Sequence, residues 1–279
     1  MLVDKPAGLT SHDAVQRARR VLGTTAVGHT GTLDPFATGL LVLLVGRATR
    51  LARFVGSEAK TYLATARLGL ATDTDDLTGA PIGGPADPAG LTEEMLRDAL
   101  AGFVGQQCQR PPRYSAKHVG GQRSYQLARR GQGVDPPDVT VTVHRLELLR
   151  LATPDLVFRV SVSAGTYIRA LARDLGERLG VGAHLTALRR EAIGALRVED
   201  AVPLDALTRD AVRSAWTVLG HLPAVEVDAP GRRAVSHGRA VPAAADTRGD
   251  VALVQGGELL AVARAEHGWL RPSVVLAMP

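Results

Sequence analysis

Hydrophobic and polar positions divide the first half of the chain into short, distinct stretches. In "SHDAVQRARRVLG", Val15, Ala18 and Leu22 fall on one face at helical spacing and Arg17 and Arg20 on the other. Ser11 or Thr10 can cap this helix and Gly23 stops it near Leu22. A loop over 23–39 follows, and then the uninterrupted apolar run "LLVLLV", short enough for a buried strand. "GRATRLARFV" reads as a helix, "KTYLATARLGL" alternates like a strand, and "ATDTDDLTG" is a polar, solvent-facing turn. After the Gly/Pro linker "GAPIGGPADPAG" a helix is expected from Thr92 to Phe103.

Further along, "VTVHRLELLRL" and "DLVFRVSVS" form a hairpin pair around "ATP", and "GTYIRALARDLGERLG" is a helix with a glycine on either side. "AIGALRVED" reads as one more strand. From about Trp216 the texture changes to short β-like runs split by glycine turns. These include "VEVDAPGRRAVSHGRAV" and a hairpin signal at Gly256-Gly257. The reading is a main body over 1–217 joined to a small β-rich unit over 218–279. Strands and helices mix without a regular βαβ alternation, so the class is α+β rather than doubly wound.

Composition sets outer bounds. With 279 residues, 45% hydrophobic, the chain can bury a sizeable core. The longest apolar run is far too short to span a membrane, and "MLVDKPAGLTSHD" lacks the apolar core of a secretory signal. A single cysteine, Cys108, excludes an internal disulfide framework, and a cytoplasmic location is the simplest expectation. The start directly at "MLVDKP" leaves a short opening strand and reads as clipped.

Charge narrows the picture. The net charge is +5, with thirty arginines against three lysines, Lys5, Lys60 and Lys117. Ala99 to Val134 holds no acid, yet carries Arg110, Arg113, Lys117, Arg123, Arg129 and Arg130 together with Tyr114 and Tyr125. Cations that neutralise phosphates, interleaved with rings that stack on bases, fit a nucleic-acid-facing segment over about 106–133. A solvated loop and helix face is the plainer alternative.

One carboxylate stands out. Asp34, in "GHTGTLDPFATG", is the only acid between Ala14 and Ser57, a span with six arginines: Arg17, Arg19, Arg20, Arg47, Arg50 and Arg53. The loop lacks the ending of a phosphate loop and the spacing of a dinucleotide fingerprint. His29 and Asp34 suggest no third metal ligand, and no second acid lies near Asp34 in sequence to make a glycosidase pair. A lone carboxylate among cations stays ionised and serves as a nucleophile or a stabiliser of positive charge. Gly28, Gly31 and Gly39 would let backbone approach a ligand, and the arginines around the loop are expected to hold a polyanion. An Asp-Pro turn without chemistry remains the other reading.

"GHTGTLDPFATGLL" resembles the catalytic motif of the TruB family of tRNA pseudouridine(55) synthases. "LVDKPAGLTSHDAV", "KTYLATARLGLATDTDDLTG", "RPPRYSAKHVGGQRSYQLAR" and "GTYIRALARDLGERLGVGAHLTALRR" resemble further family segments, in order from Leu2 to about Arg190. The basic segment departs from the family pattern at His118, where a lysine is usual.

The resemblance implies a catalytic domain on a mixed, largely antiparallel sheet with flanking helices, followed by a PUA-like RNA-binding domain. It implies isomerisation of a flipped-out uridine to pseudouridine in the tRNA T loop, by a monomer, without cofactor or metal. Asp34 would be the catalytic carboxylate, attacking C1′ or acting through a glycal route. Tyr62 would stack on the base, Arg169 would pair with Asp34, and Tyr167 and Leu188 would line the pocket. His29 would hold the opened T loop, and Lys5 would support the site. An arginine in the first turn of a helix, where the dipole disfavours it, calls for a specific anionic partner. A tRNA-binding or folding protein without essential chemistry is the alternative from another class.

Overall fold

The computed structural model describes residues 1–114 and 136–278, with the backbone of 118–119 and 122–123 between them. Strand β1 (Leu2–Lys5) leads into helix α1 (Ser11–Leu22). Thr10 and Asp13 form a reciprocal capping box at its start, and Gly23 closes it in the left-handed conformation. Strands β2 (Val27–Thr30) and β3 (Thr38–Val45) follow, then a 3₁₀ turn over Gly46–Leu51 and helix α2 (Ala52–Gly56). Beyond β4 (Lys60–Leu68) lie α3 (Glu93–Ala101), capped by Thr92, and β5 (Gly105–Gln109). The expected hairpin is β6 (Val139–Ala152) with β7 (Asp155–Val162), and then come α4 (Ile168–Arg178), β8 (Ala183–Ile193) and β9 (Val202–Pro203).

These strands build one mixed sheet in the order β9-β1-β3-β8-β4-β7-β6-β5. Only the β1–β9 and β3–β8 pairs are parallel. The run "LLVLLV" is continuous because β3 is covered on both faces. Leu41 and Leu43 join the cluster under α1, α3 and α4, and Leu40, Val42 and Leu44 join a second one on the opposite face.

That second cluster is shared with the C-terminal unit. Its strands are β10 (Ala224–Glu226), β11 (Val241–Pro242), β12 (Asp250–Gln255), β13 (Glu258–Glu266) and β14 (Trp269–Val275), in the order β10-β12-β13-β14-β11. Gly256 and Gly257, both at positive φ, make the tight β12–β13 turn. Ala252, Val254, Leu259, Val262 and Val274 pack with Leu51, Phe54 and Val55 of the main body. Val235, Val241, Val251, Leu253 and Leu260 form the unit's own core.

Four sequence expectations change. First, Ala229–Ser236 is helix α5, not a β-like run. Asp228 caps it by accepting from the Gly231 N–H at 2.7 Å, and a proline sits in its first turn, so its "DAPG" is a helix start and not a turn. Second, the body of β8, up to Glu191, was not expected. Its pairing with β4 shifts register at Leu185/Ala187 and at Arg190/Ala192, which breaks the period-2 pattern, and it buries His184 and Arg190. Third, "AIGALRVED" is the end of β8, a two-residue return at Leu196–Arg197 and a 3₁₀ turn over Val198–Asp200.

Fourth, the arginines around the Asp34 loop are largely spent on the protein's own carbonyls. Arg47 donates to Leu276 and Ala277 at 3.1 and 3.0 Å, and Arg50 to Val275 at 3.0 Å, pinning the end of the C-terminal sheet. Arg19 donates to the Val27 carbonyl and Arg17 to that of Asp205. No helix among the described residues is long and apolar enough to cross a membrane.

Candidate active site

The Asp34 loop joins β2 to β3 and is anchored on both sides of the aspartate. Ser11 Oγ donates to the Leu33 carbonyl at 3.2 Å and accepts from the Leu33 N–H at 2.8 Å. The Pro35 carbonyl accepts from the Gly8 N–H at 2.8 Å and from Lys5 Nζ at 3.5 Å. The fully buried Lys5 ammonium also donates to Pro6 and Leu9 carbonyls, both at 2.7 Å. Gly39, at φ +101°, passes so close to β8 that a Cβ would stand 2.3 Å from the Arg190 carbonyl oxygen. Its freedom therefore serves strand packing and not, as the composition suggested, approach to a ligand.

Helix α4 brings the cation. Arg169 stands in its first turn with its side chain only 5% exposed, and contacts Asp34 through two atoms. Nε lies 2.9 Å from Oδ2 and Nη2 lies 3.2 Å from Oδ1. Nη1 reaches the carboxylate of Asp76 at 3.3 Å and the Thr74 carbonyl at 2.9 Å, and Nη2 also donates to the Tyr114 carbonyl at 2.9 Å. Three chain segments thus converge on one guanidinium, whose fixed fork suits paired carboxylates.

The helix start itself is held by an unexpected residue. Tyr167, the N-cap, has no side-chain cap of its own, and Gln109 grips its main chain instead. The amide of Gln109 donates to the Tyr167 carbonyl at 3.1 Å and accepts from its N–H at 2.9 Å.

Asp34, Arg169, Tyr62, Tyr167 and Leu188 line one cavity of about 230 Å³, together with Lys60 and Arg190. The Asp34 side chain keeps 32% exposure through the mouth, yet dense protein surrounds it. Burial pushes its pKa upward, Arg169 pulls it down, and the charge of Asp76 pushes it up again. Burial also lowers the ammonium of Lys5 to about 8 and that of Lys60 to about 8, and Arg190 adds to both shifts.

Other predicted residues lie elsewhere. His29 stands on β2 opposite Leu43, outside the cavity lining. Arg110 and Arg113 follow β5 and line a neighbouring cleft of about 930 Å³ with Asp75, Asp138, Arg173, Asp174 and Glu177. Arg110 pairs with Asp138 at 3.3 Å, so the start of the basic segment faces acids of its own chain. The side chains of Lys117, Arg123, Arg129 and Arg130 lie outside the described residues.

Two expectations about acids are corrected. The "DTDD" turn is not solvent-facing: Asp75 and Asp76 are buried, and burial raises the Asp75 carboxyl to about 6 despite its 3.0 Å contact with Arg173. Asp34 is also less solitary than its sequence surroundings, because Asp76 shares its arginine. Besides Asp76, the sequence reading missed Gln109 and Arg190, and it gave Lys60 no place in the site. The scarcity of lysine, three against thirty arginines, was a signal for Lys60, whereas Arg190 carried none.

A mixed sheet, and a carboxylate–guanidinium pair that opens into a cavity lined by two tyrosines, form the arrangement that the TruB resemblance leads one to expect. Comparison with known proteins agrees. The N-terminal domain model of the TruB family of pseudouridylate synthases matches residues 19–168, and the C-terminal domain model of tRNA pseudouridylate synthase B matches residues 169–217. The chain belongs to the TruB family. A relative from Burkholderia lata, named tRNA pseudouridine synthase B, is 43% identical over 98% of this chain and 88% of its own. A relative of the same name from Aromatoleum aromaticum is 43% identical over 98% and 90%. Among solved structures, a chain of an H/ACA RNP bound to a substrate RNA containing 2′-deoxyuridine superimposes with a TM-score of 0.76 at 27% identity, covering 100% of this chain and 85% of that one. A chain of a Cbf5-Nop10-Gar1 complex gives 0.76 at 28% identity, covering 99% and 85%.

Proposed function

We propose that this protein isomerises uridine to pseudouridine at position 55, in the T loop of tRNA, with Asp34 as its catalytic carboxylate. The observation that carries the proposal is the bidentate Arg169–Asp34 contact inside a cavity also lined by Tyr62 and Tyr167. A base within a folded T loop must leave its stack to reach such a cavity, at a cost of a few kcal/mol, and an aromatic platform offsets part of it.

The target base stacks on Tyr62 with Leu188 and Tyr167 around it, and Arg169 aims the Asp34 carboxylate at the sugar. The C1′–N1 bond breaks, with its electron pair leaving on the uracil. Asp34 attacks C1′ or serves the glycal route; both place the carboxylate at the ribose. The uracil turns, C5 bonds to C1′, the C5 proton leaves with help from Tyr62, and N1 gains a proton. Atoms and electrons balance within one nucleoside, so the reaction is an isomerisation.

Arg110, Arg113 and the basic residues 117, 123, 129 and 130 contact the T-arm phosphates. His29 holds the opened loop. Residues 218–279 form a PUA-like module that extends the RNA surface. The protein acts as a monomer in the cytoplasm. The test is pseudouridine mapping in an unmodified tRNA incubated with the protein and with Asp34→Asn. Conversion of the T-loop uridine by the first and not the second is expected. Undiminished product from the variant overturns the role of Asp34.

A further inference from the structure

Arg190 is the largest side chain buried to 0% exposure, and it lies directly behind the Asp34 loop. It stands on β8, paired with Gly39 of β3 on one side and Tyr62 of β4 on the other. Its Nε donates to the Leu40 carbonyl at 2.7 Å and its Nη2 to the Gly31 carbonyl at 3.0 Å. Gly31 is the first residue of the loop that carries Asp34, and Leu40 lies in β3, the strand that follows it.

We propose that Arg190 is a positioning residue for the isomerisation: by bonding the Gly31 and Leu40 carbonyls it ties the start of the Asp34 loop to the strand that follows it and holds the carboxylate on its line toward the ribose. This rests on the function proposed above.

Three observations bear on it. A fully buried cation is costly unless paired, yet among the described residues no carboxylate lies within 4.0 Å of this guanidinium. An apolar side chain of similar volume would fill the space more cheaply, so what Arg190 adds is its two directed bonds. The contact is also built from the loop side. Gly31 stands at φ +74°, a backbone conformation that glycine adopts without strain.

Finally, the neighbouring cations use the same device. Lys5 bonds the Pro6, Leu9 and Pro35 carbonyls, and Lys60 those of Gly56 and Glu58 at 2.9 and 2.8 Å.

The experiment compares wild type, R190K and R190M on an unmodified tRNA transcript. It reads the single-turnover rate, the Kd for the same transcript, and the folded signal by circular dichroism. Wild-type conversion of the T-loop uridine comes first: its absence sinks the proposed function and leaves Arg190 a matter of fold alone. Given conversion, a displacement of about 1 Å at the reacting group lowers the rate roughly a hundredfold. R190M is expected to fall by about that factor with Kd within about threefold, and R190K, which keeps one bond and the charge, to fall between. A full rate in folded R190M, or weaker tRNA binding with an unchanged rate, overturns the inference. Should R190M not fold, R190K decides alone, and a full rate there overturns it.

Discussion

Asp34 and Arg169 meet across 135 residues of sequence through two N···O contacts of 2.9 and 3.2 Å, one to each carboxylate oxygen. The same guanidinium extends to Asp76 at 3.3 Å. The proposed catalytic carboxylate is thus one end of an Asp–Arg–Asp chain whose far end is buried.

Asp34→Asn should abolish turnover by at least about a thousandfold while leaving tRNA affinity within about threefold, since the charge acts on the reacting sugar and not on phosphates. It should not lower stability. The folded-state pKa of Asp34 is raised, so its ionised form is disfavoured by folding, and above that pKa the group subtracts stability. Thermal melting at pH 7.5 is expected to give a Tm equal to or above wild type.

The acid limb of the single-turnover rate should lie above the ordinary aspartate range, because the carboxylate must be ionised and its pKa is raised. The charge of Asp76 is one cause of that rise, so Asp76→Asn should move the limb to lower pH. The plateau should also drop, since Arg169 loses its second anchor. A pH–rate profile of both proteins checks the direction, and an unmoved limb counts against the coupling.

Arg169→Ala should be among the most damaging substitutions for the fold. It leaves Asp76, at 6% side-chain exposure, without its guanidinium, and stranding a buried charge costs about 3–5 kcal/mol. Urea unfolding measures this loss. Arg169→Lys should fold better yet still turn over about a hundredfold more slowly, because a point charge cannot hold both carboxylates in the fork geometry.

Arg47→Ala and Arg50→Ala should weaken the fold by about 1 kcal/mol each through lost bonds to the Val275, Leu276 and Ala277 carbonyls. Neither should change the dependence of tRNA affinity on salt. Arg113→Ala, by contrast, should lower the slope of log K against log salt by about 1. An equal slope change in the Arg47 and Arg113 variants would show that Arg47 contacts phosphate after all.

Gly39→Ala should be poorly tolerated, since φ is +101° and the Cβ would meet the Arg190 carbonyl oxygen at 2.3 Å. A loss of about 3 kcal/mol or more is expected, read as a lowered Tm or as insoluble expression.

Much of this was legible in one dimension because it depends on neighbours within a few residues. The capping box at Thr10 and Asp13, the alternation of Lys60–Leu68, the glycine pair between β12 and β13, and the apolar run of β3 all follow from local spacing. So did the singular chemistry of Asp34, whose basic surroundings mark it without any contact being known. Strand β8 was illegible for the opposite reason. Two register shifts erase its period, and its buried His184 and Arg190 face the carbonyls of Leu70, Leu40 and Gly31, supplied by distant segments.

The same division holds at the site. Asp34, Tyr62, Tyr167 and Arg169 could be singled out from residue type and motif, since each carries chemistry in its own side chain. What Asp76, Gln109 and Arg190 do depends on where distant segments cross, and composition cannot report that. Only the tertiary structure showed that the arginines at 47 and 50 hold the C-terminal sheet. Hydrogen bonding to main-chain carbonyls leaves no trace in side-chain identity, because every residue offers the same acceptor.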